Sequence, residues 1–146
     1  MKSLKKIGMQ SEKMAAKKVG ASIIKGSGSI WYDKGDYETK RFVFQNKFTS
    51  KNFYKLTILD LKKAKQDALS KNKDFVFSMQ IQDQFMYCFP RILITEKEEK
   101  LLNLSHVSFN KSTCITCNDN LLLNEEFVVI HEFLFNKIKS LRSKNV

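Results

Sequence analysis

Proline and glycine are scarce in this chain. One proline and five glycines among 146 residues leave little room for long flexible linkers, and no low-complexity segment interrupts the sequence. Cys88, Cys114 and Cys117 are its only cysteines. An odd number without regular spacing excludes a disulfide framework and points to free thiols in a reducing compartment. No apolar run approaches the roughly 20 residues that span a bilayer. The N-terminus, MKSLKKIGMQSEKM, is basic but lacks the apolar core of a secretion signal. These absences lead us to expect an intracellular protein, in cytoplasm or nucleoid, with a virus-encoded protein acting in its host cell equally allowed. Arginine is rare as well: Arg41, Arg91 and Arg142 are the only ones among 26 basic residues. That argues against base reading by bidentate guanidinium groups.

What the chain does have is lysine and phenylalanine. Its formal net charge is +11, which favours a polyanionic partner held by sequence-independent phosphate contacts. A 42% apolar fraction with 12 phenylalanines is enough for a core, and the length suits one domain. We expect a single domain over residues 1–146, with residues 105–146 as a C-terminal extension of unassigned role.

The periodicity predicts a helix from Ser11 to Gly20, a short strand over Ser22 to Ile24, and a turn at Lys25–Gly26–Ser27–Gly28–Ser29. Ile30 to Tyr32 can resume as strand, and the turn Asp33–Lys34–Gly35 delivers Asp36 to the next one. Arg41 to Phe48 alternates with period two: Phe42, Phe44 and Phe48 share one face, Val43, Gln45 and Lys47 the other. Thr57–Ile58–Leu59–Asp60 reads as a capping box for a helix to Leu69, packed through Leu61, Ala64, Ala68 and Leu69. Strands are expected over Phe75 to Ile81 and Phe85 to Ile94. A capped helix should run from Thr95 to Leu104, and a last helix from Glu125 to Leu141. This order gives an α/β domain with a mixed sheet and helices on its faces.

Gln45 and Lys47 leave the same face of one strand, and Asp36 lies on the strand before it if the two form a hairpin. Glu12 can add a carboxylate from the first helix. Phosphodiester hydrolysis needs charge at the phosphoryl oxygens, a hydroxide and control of its attack. Magnesium on oxygen ligands meets the first two needs, and a lysine can position the water. Asp36 is then the principal ligand, with the Gln45 side-chain oxygen, the Asn46 backbone carbonyl and, through water, Glu12. Lys47 sits beside the attacking water. Gln45 brings no negative charge, so manganese is expected to substitute.

The ordered set Glu12, Gly26–Ser27–Gly28, Gly35–Asp36, Gln45–Asn46–Lys47 and Thr49–Ser50 ahead of the helix at Thr57 resembles the PD-(D/E)XK nuclease superfamily. Within it, the set is most similar to the small RecU- or archaeal-type Holliday junction resolvases, phage and viral forms included. It covers Ser11 to Phe77, about half the chain, and departs from the pattern by having Gln45 where glutamate is usual. The resemblance implies a restriction-endonuclease-like mixed sheet flanked by helices. It implies a magnesium-dependent endodeoxyribonuclease acting on branched DNA, foremost Holliday junctions, and a homodimer making two cuts. Nucleases of linear duplex or flaps, and a basic DNA-binding protein with a decayed site, are the alternatives.

Phosphate contacts are expected from Lys13, Lys17 and Lys18, from Lys25, Ser27 and Ser29 in the glycine turn, and from Lys51 and Lys55. The turn is not followed by Lys-Ser or Lys-Thr, so nucleotide triphosphates are not expected. A second basic cluster, Lys137, Lys139, Arg142 and Lys144, either meets another DNA arm or is solvated surface. Cys114 and Cys117 have metal-ligand spacing, but no second pair exists to complete a zinc site; free thiols are expected, with Cys88 in the core. His131 is expected as a core histidine on the last helix.

Overall fold

A computed structural model describes residues 10, 11, 13, 14, 22, 23 and 37–144. Ten strands lie among them: β1 Ser22–Ile23, β2 Tyr37–Glu38, β3 Phe42–Thr49, β4 Tyr54–Thr57, β5 Asp74–Ile81, β6 Gln84–Pro90, β7 Ser105–Val107, β8 Ser112–Ile115, β9 Leu121–Leu123 and β10 Phe127–His131. The helices are α1 (Ile58–Ser70), α2 (Glu96–Leu102) and α3 (Glu132–Lys144), with residues 10, 11, 13 and 14 also helical. Eight strands form one sheet in the order β1-β2-β3-β5-β6-β10-β9-β7, and β4 pairs with β8 apart from it. β3 runs parallel to β5 through the α1 crossover and β7 parallel to β9; the other pairs are antiparallel. The expected α/β class, a mixed sheet flanked by helices, is what the chain forms.

The period-two pattern of β3 buries both faces. Val43 (0% exposed) packs with Leu56, Leu61, Ala64, Phe77 and Met79 under α1 and the small sheet. Phe44 (3% exposed) packs with Val76, Tyr87, Val128 and Ile138 on the opposite face, under α2 and α3. α1 starts at the expected capping box, with Thr57 Oγ1 accepting from Asp60 N–H and the Asp60 carboxylate from Thr57 N–H. Its buried stripe is Leu61, Ala64, Asp67 and Ala68. Leu69, expected in the packing, is instead 66% exposed, because the stripe continues through position 68 and turns 69 outward.

Three boundaries differ from expectation. β6 stops at Pro90, which has no N–H to extend a ladder, and Arg91–Leu93 forms a 3₁₀ turn where strand was expected to Ile94. α2 ends at Leu102 because Asn103 takes a left-handed conformation with φ 50°. The largest correction concerns Glu125 to Leu141. Phe127–His131 is β10, paired with β6 and β9 inside the sheet, and the helix starts only at Glu132. Val128, Val129 and Ile130 are β-branched and fully buried, which favours a central strand. The turn into it carries Asn124 and Glu125 at φ 52° and 54°, both left-handed as a type I′ turn requires. Residues 105–144 thus supply β7, β9 and β10 to the main sheet, β8 to the small one, and α3.

α2 and α3 are joined by one ion pair. Glu98 accepts from Arg142 Nε and Nη2 at 2.8 Å each, and from Thr95 N–H at 2.9 Å. The bonds from Arg142, ahead of the other causes, hold the Glu98 carboxyl down at about 2 against an ordinary 4.5. A depressed folded-state value stabilises above the unfolded value and is lost as pH falls from 4.5 through about 2. Arg142→Ala is expected to cost about 2 kcal/mol at pH 7, less than a fully buried pair would. Denaturant titrations should show the gap between variant and parent shrinking over that acid window. Arg142, expected in the basic C-terminal cluster, is thus committed to Glu98 and the Leu93 carbonyl.

Candidate functional site

Gln45, Asn46 and Lys47 lie in the middle of β3, beside Phe77, Ser78 and Met79 of β5. Gln45 and Lys47 share the face toward α1. Lys47 is exposed; Gln45 is 8% exposed and donates through Nε2 to Asp67 Oδ2 of α1 at 2.8 Å. Asn46 points through the other face, where its Nδ2 donates to Ser11 Oγ at 2.7 Å. Its Oδ1 accepts from the fully buried Ser78 hydroxyl at 2.8 Å, with the Gln45 carbonyl 3.2 Å from the same Oγ. The Asn46 side chain therefore fixes the N-terminal helical residues to the middle of the sheet.

β2 pairs Tyr37 with Phe44 and Glu38 with Val43, so its described pairing stops one residue short of Gln45. Glu38 is engaged elsewhere: Lys73 Nζ lies 3.0 Å and Lys71 Nζ 3.7 Å away, and the Lys73 hydrogen bond is the largest of the causes holding its carboxyl below the ordinary range.

The proposed ligands Asp36 and Glu12 lie outside the described residues, as do Lys17, Lys18, Lys25, Ser27 and Ser29. Lys13, Lys51 and Lys55 are exposed, Lys51 with its ammonium 5.6 Å from the Phe53 ring. Sequence reasoning missed Asp67 and Ser78. Asp67 occupies a helix position that reads as solvated, and the signal for it was its place on the Leu61–Ala64–Ala68 stripe. Ser78 could have been found as the polar interruption of a phenylalanine-rich strand.

No cluster of three or more His, Cys, Asp or Glu side chains suited to a metal occurs among the described residues. The donors that are present fit a hard cation in kind. Gln45 gives its N–H to Asp67, so its amide oxygen is the atom left able to coordinate, and Asp67 adds carboxylate oxygen. Zinc ligands do not converge. His106 Nδ1 meets Glu125, whereas His131 Nε2 meets Gln84 Oε1 at 2.8 Å and its Nδ1 accepts from Phe133 N–H. His131 therefore sits at the end of β10, capping α3, and not on a helix face. Cys88 is buried, and burial pushes its thiol well above the ordinary range; burial likewise raises Cys117, while Cys114 is exposed.

The arginines and most of the lysines differ in their partners. Every arginine is paired: Arg41 with Asp74, Arg91 with Glu99 and Glu125, Arg142 with Glu98. Lys65, Lys71 and Lys73 also have acidic partners. Exposed Lys47, Lys51, Lys55, Lys62, Lys63 and Lys111 have none among the described residues, and neither do exposed Lys40, Lys97, Lys100, Lys137 and Lys139 elsewhere on the surface. Lys55 lies opposite Cys114 on the small sheet, and the Lys111 carbonyl accepts from Ile58 N–H at the start of α1. The loop after β3, the small sheet and the first turns of α1 therefore carry unpaired positive charge.

No family model matches this chain, and no curated protein is similar to it. Among solved structures it is similar to the 1.6 Å structure of Hjc from Archaeoglobus fulgidus, described as a Holliday junction resolvase from an archaeal hyperthermophile. The TM-score is 0.48 at 12% sequence identity, covering 75% of this chain and 88% of that one.

Proposed function

We propose that this protein is a magnesium-dependent, restriction-endonuclease-like endodeoxyribonuclease that cuts branched DNA, Holliday junctions first among its substrates. The observation that carries the reading is a convergence on β3. Ser11, the neighbour of Glu12 in sequence, bonds Asn46, and Tyr37, the neighbour of Asp36, pairs with Phe44. Both contacts fall on the segment of β3 that carries Gln45 and Lys47, the other two residues of the expected catalytic set: the Tyr37 pair lies one residue before Gln45, and the Ser11 bond lies at Asn46 between them, on the opposite face of the strand.

In this reading Asp36, the Gln45 side-chain oxygen, the Asn46 backbone carbonyl and Glu12 hold the cation. When bound, magnesium supplies charge stabilisation at the phosphoryl oxygens and a more acidic water. Lys47 orients the attacking water and screens charge developing on the phosphate. Lysines without acidic partners hold the backbone from outside, while the arginines, all engaged in ion pairs, leave base sequence largely unread. Symmetric cleavage of a four-way junction takes two sites, hence a homodimer.

Cleavage of a labelled four-way junction in magnesium, abolished by chelation and restored by manganese, is the expected result. Metal-independent cutting, or binding with no cutting at all, would overturn the assignment. The lysine surface has its own prediction. Lys55→Ala, Lys62→Ala and Lys63→Ala should each weaken binding alike on every sequence and lower the salt slope of log K by about one. Fluorescence anisotropy from low to moderate salt reads that slope; a sequence-dependent loss would contradict it.

A further inference from the structure

We infer that Asp67 is a positioning residue for this site, supplying from helix α1 the negative charge that Gln45 does not bring from the strand. The inference rests on the nuclease reading above and identifies how a site with glutamine in its motif strand keeps its hold on a divalent cation.

Asp67 is 7% exposed, yet among the described residues its carboxylate accepts from a neutral group, Gln45 Nε2 at 2.8 Å. No lysine or arginine lies within ion-pair distance of it among the described residues. Its helical neighbours at 63 and 71 do not serve it: Lys63 is exposed, and Lys71 is turned to Glu38. Holding a carboxylate out of water against a neutral donor is costly, and a tether between α1 and β3 needs only an uncharged acceptor. A buried charge of this kind has a clear use beside a cation. By taking the amide N–H, Asp67 also fixes which end of Gln45 is which, leaving Oε1 as the coordinating atom. Together the two side chains present one carboxylate and one oriented carbonyl, the charge of a single glutamate divided between helix and strand.

The test compares the full chain with Asp67→Asn and with the double variant Gln45→Glu/Asp67→Asn, titrating Mn²⁺ alone by calorimetry and measuring junction cleavage in parallel. Asparagine keeps an acceptor for Gln45 Nε2 and removes only the charge. Asp67→Asn is expected to melt like the parent in chelator but to bind Mn²⁺ about tenfold more weakly, the usual effect of losing a ligand's supporting partner. The double variant, with the charge moved onto the strand, is expected to recover the affinity. Equal Mn²⁺ affinity in parent and Asp67→Asn would overturn the inference while leaving the nuclease reading intact if the parent still cuts. Loss of affinity that the double variant fails to recover would make Asp67 a structural tether and overturn it too. A parent that neither binds Mn²⁺ nor cuts DNA would overturn both.

Discussion

Lys47→Ala is expected to slow single-turnover cleavage by about 10²–10⁴-fold, the range for losing a group that assists the reacting water. Binding and folding should barely change. The Lys47 side chain is exposed and has no acidic partner among the described residues, so its removal should alter stability by no more than about 0.5 kcal/mol. The strand beneath it is held by its full ladder to β5, from Phe42 against Asp74 to Thr49 against Ile81. Rapid-quench measurements at saturating enzyme isolate the chemical step, and anisotropy reports the binding. A variant that binds junction weakly yet cleaves it at the parental rate would make Lys47 one more phosphate contact. A rate loss with unchanged affinity is what a group acting on the attacking water produces.

Phe77→Ala should be the most damaging single core substitution, at about 3–5 kcal/mol. That is a large share of the roughly 5–15 kcal/mol that holds a typical domain folded. Phe77 is 1% exposed in the centre of β5, packed in the α1-side core with its ring 6.0 Å from that of Tyr54. It lies beside Gln45 in the parallel register, so the cavity would open under the site itself. Phe77→Leu keeps most of the volume and is expected to cost only about 1 kcal/mol. Urea denaturation of the pair, with cleavage measured where both remain folded, checks this. Equal losses for the two variants would mean that the site tolerates a void at this position.

The strands nearest the site were legible because their chemistry is local. The alternation from Phe42 to Phe48 and the Thr57–Asp60 capping box each act within a few residues, and each appears where the sequence put it. Phe127 to Ile130 was not legible, since a short apolar run fits a buried strand or a helix equally until its neighbours are known. What decided it was pairing with β6, some 40 positions away in sequence. The same holds at the site. The spacing of Gln45 and Lys47 puts them on one face, but nothing near Gln45 in sequence announces Asp67, which reaches it only through the crossover helix. Ser11 and Ser78, brought to Asn46 from either side in sequence, are likewise products of the tertiary fold.

The central claim is a nuclease site on β3 directed at branched DNA. Its most direct test presents parent and Lys47→Ala with a four-way junction, a flap and a plain duplex of matched sequence, each end-labelled, in magnesium. Paired cuts on opposed strands of the junction, absent from duplex and flap and lost in the variant, are the predicted result. Binding to all three without metal-dependent cutting would contradict it and leave a basic DNA-binding protein; equal cutting of duplex would keep the chemistry and remove the junction.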